Sequence, residues 1–170
     1  MEFKEVVKNR YSCKKFNGKQ VEDDKLQAIL EAGRLAPTAK NLQEQHIYVI
    51  RSDEALAKID AATPCRYGAP TVFVVAYDKN NVFTYPGERV DSGREDATIV
   101  ATHMILAATD EGLNSLWINR IDPDEVIKVF DLPENEDVLM VMDIGYGDEN
   151  YGPSTNHENR KDLSETVTYL

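Results

Sequence analysis

The sequence predicts one domain of mixed α and β structure, a small four-stranded sheet covered by helices. Three observations predict it. At 170 residues the chain is long enough for one core and short for two. Segments of helical and strand periodicity follow one another in the order ααβαβαβαβ, and a polar tail closes the chain. One segment, Val72–Tyr77, is apolar without a break, as in a central strand. It is also the longest such run, far below the roughly 20 residues a membrane span needs.

Each element has a local reason. Phe3, Val6 and Val7 mark a short first helix ending near Arg10. Val21–Leu35 reads as the second helix: Leu26, Ile29, Leu30 and Gly33 recur at helical spacing, and Asp23 and Asp24 suit its positive first turn. Pro37 ends it. His46–Arg51 alternates and is rich in β-branched residues, so it is a strand. Ser52 or Asp53 can cap a helix carrying Leu56 and Ile59. Thr71–Tyr77 is the central strand, and Asp78–Gly93 is irregular, broken by Asn80-Asn81, Pro86-Gly87 and Ser92-Gly93.

The longest helix runs from about Arg94 to Glu111, with Ile99, His103, Leu106 and Ala107 on one stripe and Gly112 as its stop. Ser115–Asn119 is a short strand. Asp122-Pro123-Asp124-Glu125 starts a helix with Asp122 as N-cap and ends before Pro133. Val138–Ile144 is the last strand. The tail Asp148–Leu170 has only Leu163, Val167 and Tyr169 as apolar anchors. The tail and the first two helices lack partners within so small a domain, which points to an intertwined dimer.

Thirty acidic and nineteen basic side chains leave a net charge of −11, which disfavours nucleic acid and anionic membranes as partners. A local basic pocket can still hold a small anion, because screening acts over about 8 Å at physiological salt. The start Met1-Glu2-Phe3-Lys4-Glu5 has acids where a signal peptide needs an apolar core, so a cytoplasmic protein is expected. Cys13 and Cys65 form no Cys-x-x-Cys motif and are read as reduced, partly buried thiols. His46, His103 and His157 are too scattered for a metal site. No dinucleotide fingerprint, P-loop or nucleophile elbow is present. What remains open is an organic cofactor that carries the chemistry itself, with no catalytic side chain and no metal.

Four features could hold one. Arg10-Tyr11-Ser12-Cys13-Lys14-Lys15-Phe16 gathers three cations and a hydroxyl in an acidic chain. Arg10 can grip a phosphate through two parallel hydrogen bonds, Lys14 adds a point charge and Ser12 a donor; a solvated basic turn is the plain alternative. Ala36-Pro37-Thr38-Ala39-Lys40-Asn41-Leu42-Gln43 is a helix-to-strand loop whose amides could read a heterocycle edge, or an ordinary polar turn. Trp117-Ile118-Asn119 could flank a planar ring, though a lone Trp is more often core or interface. Arg160-Lys161 could be a second pair of phosphate ligands, or solvated tail charges.

In this order and spacing, the four features resemble the nitroreductase family of FMN-dependent oxidoreductases over almost the whole chain. Arg10–Phe16 is similar to the family's Arg-Arg-Ser-x-Arg-x-Phe, and Ala36–Gln43 to its Ala-Pro-Ser-x-x-Asn-x-Gln. Gly68-Ala69-Pro70 opens the matching central strand. Asp96–Ala108 resembles the long core helix, and Gly112–Asn119 the Gly-Leu-Gly-x-x-Trp-Ile-Gly segment. Leu132-Pro133-Glu134, Ile144-Gly145-Tyr146 and Arg160-Lys161-Asp162-Leu163 follow in place. Three departures stand out: Lys14 for Arg, Glu44-Gln45 for Pro-Trp, and Asn119 for Gly.

The resemblance implies an α+β fold with a mostly antiparallel sheet between helical layers, in an intertwined homodimer with FMN at the interface. It implies that Arg10, Tyr11, Ser12 and Lys14, with Arg160 and Lys161, hold the phosphate and ribityl chain. Pro37, Thr38, Ala39 and Asn41 would line the ring from the other subunit, with Trp117, Ile118 and Asn119 along the opposite edge. The tail 148–170 would pack on the partner subunit. The implied activity is ping-pong transfer of hydride from NADH or NADPH through FMN to a nitroaromatic, quinone or similar acceptor. A flavin-binding or sensor protein without turnover is the alternative.

Overall fold

The computed structural model describes residues 1–87 and 89–170. The helices are α1 (Phe3–Asn9), α2 (Asp23–Arg34), α3 (Asp53–Ala62), α4 (Gly93–Asp110) and α5 (Pro123–Phe130). The strands are β1 (Gln45–Ile50), β2 (Thr71–Asp78), β3 (Asn114–Ile118) and β4 (Glu136–Gly145). The expected order of helices and strands is met, with boundaries one or two residues away. Ser52 caps α3, its Oγ accepting from the Ala55 N–H at 3.3 Å. Asp122 caps α5, accepting from the Asp124 N–H at 3.1 Å, with Pro123 in the first turn. Gly112 leaves α4 with φ +74°, a backbone angle that favours glycine. Glu88, within the irregular stretch Asp78–Gly93, lies outside the described residues.

The strands lie in the order β1-β2-β4-β3, antiparallel at every pair. A strict alternation of helix and strand is commonly the mark of a parallel sheet, so this arrangement accords with the family resemblance and not with element order alone. One face of the sheet presents Phe73, Val75, Met142 and Ile144 to α2 and α4. The other presents Val72, Val74, Val141, Leu116 and Ile118 to α3 and α5. A bulge opposite Val75/Ala76 makes Leu139 the extra residue of β4, so Leu139 and Met140 both face the first layer. Helix α2 lies close on α4 because Gly33 carries no Cβ; one built there would meet the Met104 side chain at 2.9 Å.

The stripe Ile99, His103, Leu106 and Ala107 is not the buried face of α4. The core takes Ala97, Val100, Ala101, Met104, Ile105 and Ala108, while His103 is exposed. The helix is apolar on both sides, so spacing alone cannot choose the inner one. Leu106 is left half-buried outside that cluster, while Ile99 and Ala107 pack against its margin.

Asp143 is an exception inside β4. It is 0% exposed, and neither carboxyl oxygen has a hydrogen-bond partner among the described residues. The nearby Arg66 guanidinium is committed to Asp60, at 2.6 and 2.5 Å, and to the Ala69 carbonyl at 2.8 Å. Burial pushes Asp143 from 3.8 up to about 9, and Arg66 only partly opposes this. The group is a neutral acid at pH 7. Its raised value contributes stability that is full below pH 3.8 and is lost as pH rises through about 9. Between about pH 7 and 9 the wild-type unfolding free energy should therefore fall more steeply than that of Asp143→Asn in urea titrations. Parallel curves would show that Asp143 is not protonated in the folded chain.

Candidate active site

The Arg10–Phe16 segment begins at the C-cap of α1, Arg10, and runs extended along the end of the sheet. Ser12 bridges Ser115 of β3 in parallel, and the Cys13 N–H donates to the Ser115 carbonyl at 3.0 Å. The Phe16 N–H donates to the Tyr67 carbonyl at 3.1 Å, and the Asp148 N–H to the Lys15 carbonyl at 3.0 Å. Cys13 and Phe16 turn inward onto Ala69 and are buried. Burial pushes the Cys13 thiol up, which makes it a packing residue and not a nucleophile. Ser12, Lys14 and Lys15 are thereby left outward.

Three adjoining pockets follow from this arrangement. The first, about 200 Å³, is lined by Arg10, Tyr11, Ser12, Asn156, His157 and Arg160, among others. The second, about 230 Å³, joins Arg10 to Trp117 across Thr102, Ile105 and Leu106 of α4. The third, about 280 Å³, joins Trp117, Ile118 and Asn119 to Lys14, Cys65, Tyr67 and Arg120. Arg10 belongs to the first two and Trp117 to the last two, so the series places Trp117 between Arg10 and Arg160 on one side and Lys14 and Arg120 on the other. The Trp117 indole N–H donates to Asn119 Oδ1 at 2.7 Å, which fixes the ring in this wall.

Charge sorts the cations of the first motif. Lys15 pairs with Asp148 at 3.0 Å. Arg10 and Lys14 have no carboxylate partner among the described residues, in a chain of net charge −11. Arg160 donates to the carbonyls of His157 and Asn159, the latter at 2.8 Å, and keeps its charge uncompensated. Such a pocket can accept an anion. Lys14 lines the third pocket and not the pocket of Arg10 and Ser12. Lys161 is exposed and lines none of the three pockets.

The loop Pro37–Asn41 sits elsewhere in the same chain. The Ala39 N–H donates to Asp96 Oδ1 at 2.9 Å, and Thr38 Oγ1 accepts from the Gln43 N–H at 3.0 Å. Lys40, Asn41 and Gln43 hold φ of 52°, 56° and 54°. Three non-glycine residues in this region store strain, which is typical of ligand-facing turns. Pro37 and the Asn41 side chain are exposed. Asp96, which anchors the loop, lies six to nine residues along α4 from Thr102 and Ile105, or about 9–14 Å. One chain thus presents two separated parts of the predicted site.

Sequence reasoning missed Cys65, Tyr67 and Arg120 at the third pocket, and Ser154, Asn156 and His157 at the first. Tyr67 stands just before the Gly68-Ala69-Pro70 signal, with φ 50°. The others carry no motif and arrive only through chain folding.

A family model described as the nitroreductase family matches residues 7–66 and 64–146, and the chain belongs to that family. A nitroreductase family protein from Clostridium difficile 630 superposes with a TM-score of 0.92 at 36% identity, over 99% of this chain and 98% of that one. A protein of Methanothermobacter thermautotrophicus, provisionally named NADH dehydrogenase/NAD(P)H nitroreductase, is 29% identical over 89% of this chain and 81% of its own. A nitroreductase with bound FMN from Desulfitobacterium hafniense shares the fold, with a TM-score of 0.77 at 23% identity, over 100% of this chain and 98% of that one.

Proposed function

We propose that the chain is an FMN-dependent oxidoreductase that oxidises NADH or NADPH and reduces a nitroaromatic, quinone or similar small acceptor. The observation that carries this reading is the series of pockets that share Arg10 and Trp117, with Arg10 and Arg160 on one side of the indole and Lys14 on the other. FMN has the matching form, a phosphate dianion joined through a chain to a planar ring. Family membership supports the oxidoreductase class, and the FMN complex of the Desulfitobacterium protein supports the cofactor.

Arg10 and Arg160 would hold the phosphate, with the Ser12 hydroxyl as a further donor and Tyr11 beside it. Trp117 and Ile118 would form an apolar wall that keeps water from one edge of the ring, and Asn119 would fix the indole. Lys14 would place positive charge near the ring, stabilising negative charge that accumulates there. When bound, FMN supplies the redox chemistry, taking up hydride from the nicotinamide and passing it on. None of the pocket-lining groups is required as a proton carrier, which accords with the scattered histidines.

The working unit would be a homodimer with two shared sites. The half-buried Leu106 of α4 and the exposed Leu163, Val167 and Tyr169 of the tail support it. Among the described residues, no helix is long and apolar enough to cross a membrane.

The purified protein should be yellow, with one FMN per chain, and NADH or NADPH under nitrogen should bleach it. FMN should bind far better than riboflavin; equal affinities would remove the phosphate assignment. Arg10→Ala should weaken FMN about ten- to a hundredfold, since a charged hydrogen bond at a phosphate is worth about 1.5–3 kcal/mol. An unchanged dissociation constant would make Arg10 a surface charge. If the sites are shared, co-refolding Arg10→Ala with Asn41→Ala chains should restore near-wild-type affinity in about a quarter of all sites, because half the dimers are mixed. No recovery would refute the shared site.

A further inference from the structure

A buried acidic pair lies beneath the strained loop, and none of the pocket chemistry uses it. Glu44 immediately precedes β1 and is 4% exposed; Asp96 is in the first turn of α4 and is 3% exposed. Asp96 Oδ1 accepts from the Ala39 N–H. Glu44 Oε1 accepts from the Ser92 hydroxyl at 3.4 Å, and Ser92 Oγ accepts from the Phe83 N–H at 3.1 Å. Glu44 Oε2 and Asp96 Oδ2 remain, buried and without a donor among the described residues.

Two neighbouring buried carboxylates cannot both ionise without cost, because desolvation and mutual repulsion act in the same direction. A single proton between them supplies a donor to one and an acceptor to the other, so both bare oxygens are satisfied. Burial, and then the hydrogen bond and charge of Asp96, push Glu44 up to about 7. Among the described residues, the surrounding elements bring no compensating cation to the pair. Lys40 on the loop stacks over the Phe83 ring, and Arg94 and Glu95 on α4 are exposed, as is Asp91. On β2, the Tyr77 hydroxyl turns to Asp137, while Asp78 Oδ1 accepts from the Asn80 N–H. Glu44 also stands where the family pattern has Pro, which could not take this role.

We propose that Glu44 and Asp96 share one proton, and that this acid–carboxylate pair positions the Thr38–Asn41 turn for ligand binding. The positioning half rests on the reading that the turn faces a flavin. With the proton in place, Asp96 stays fixed against Glu44 and its other oxygen holds Ala39. When the proton leaves, the two charges repel, Asp96 shifts, and the strained angles at Lys40 and Asn41 lose their anchor. The sign follows: the arrangement is complete below the raised value of Glu44 and is lost as pH rises through about 7.

The test uses the full chain, FMN as the probe, and two near-isosteric variants. Wild-type FMN affinity, read by quenching of flavin fluorescence, should weaken about tenfold between pH ~6.5 and ~8.5. Glu44→Gln gives Asp96 a permanent N–H donor, and Asp96→Asn does the reverse; each should flatten this slope. Infrared difference spectra should show a carboxylic acid C=O band titrating near 7 in wild type and absent in Glu44→Gln, with the Asp143 band persisting toward about 9 as internal control. The infrared titration of wild type stands even if a variant fails to fold. Equal slopes in wild type and both variants, or no band titrating near 7, would overturn the shared proton. A band titrating near 7 with no FMN binding at any pH would confirm the shared proton and overturn the flavin reading, together with the positioning role.

Discussion

Strand β2 is buried on both faces from Thr71 to Tyr77, and the rest of the molecule is arranged to satisfy that condition. A strand with no polar face needs a helical layer on each side and a hydrogen-bonded neighbour at each edge. Helices α2 and α4 supply one layer, α3 and α5 the other, and β1 and β4 are the neighbours. Helix α4 therefore crosses the sheet face beside the pockets, where Thr102, Ile105 and Leu106 form their middle wall. The candidate site is a consequence of how the core covers one strand.

The local electrostatics run against the global charge. In a chain of net charge −11, several cations find an acid: Lys15 takes Asp148, Arg66 takes Asp60, Arg34 takes Glu31. Most such pairs are exposed and contribute little to stability. Arg10 and Arg160 at the first pocket are among the cations without such a partner in the described residues. The buried carboxyls show the opposite case. Asp143 and Glu44 lie where no cation is free to reach them, and burial raises both. One sits inside the sheet; the other sits under a strained loop next to a second acid.

The residues of the site divide by how far apart in the chain their partners lie. Arg10, Ser12 and Trp117 stood out in the sequence because each sits in a short segment of distinctive chemistry. His157, Asn156, Tyr67 and Cys65 did not, since each reaches its pocket from a separate loop or the tail and has no local signature. The three positive φ angles at Lys40, Asn41 and Gln43 were equally invisible, because only Asn among these residues favours that region.

The sequence by itself determined the elements, the central place of β2, the cap at Asp122, a cap at Ser52 or Asp53, and the cationic and aromatic segments. Each depends on neighbours within a few residues, and periodicity and capping chemistry act over that range. Only the tertiary structure decided which side of α4 faces the core, because that helix is apolar on both sides and packing against Phe73 and Met142 breaks the tie. Only it separated Lys14 from Arg10 into different pockets, and only it joined Glu44 to Asp96, 52 positions later. These contacts are set by chain crossings over the sheet, and no local pattern of residues encodes a meeting between groups so far apart in the chain.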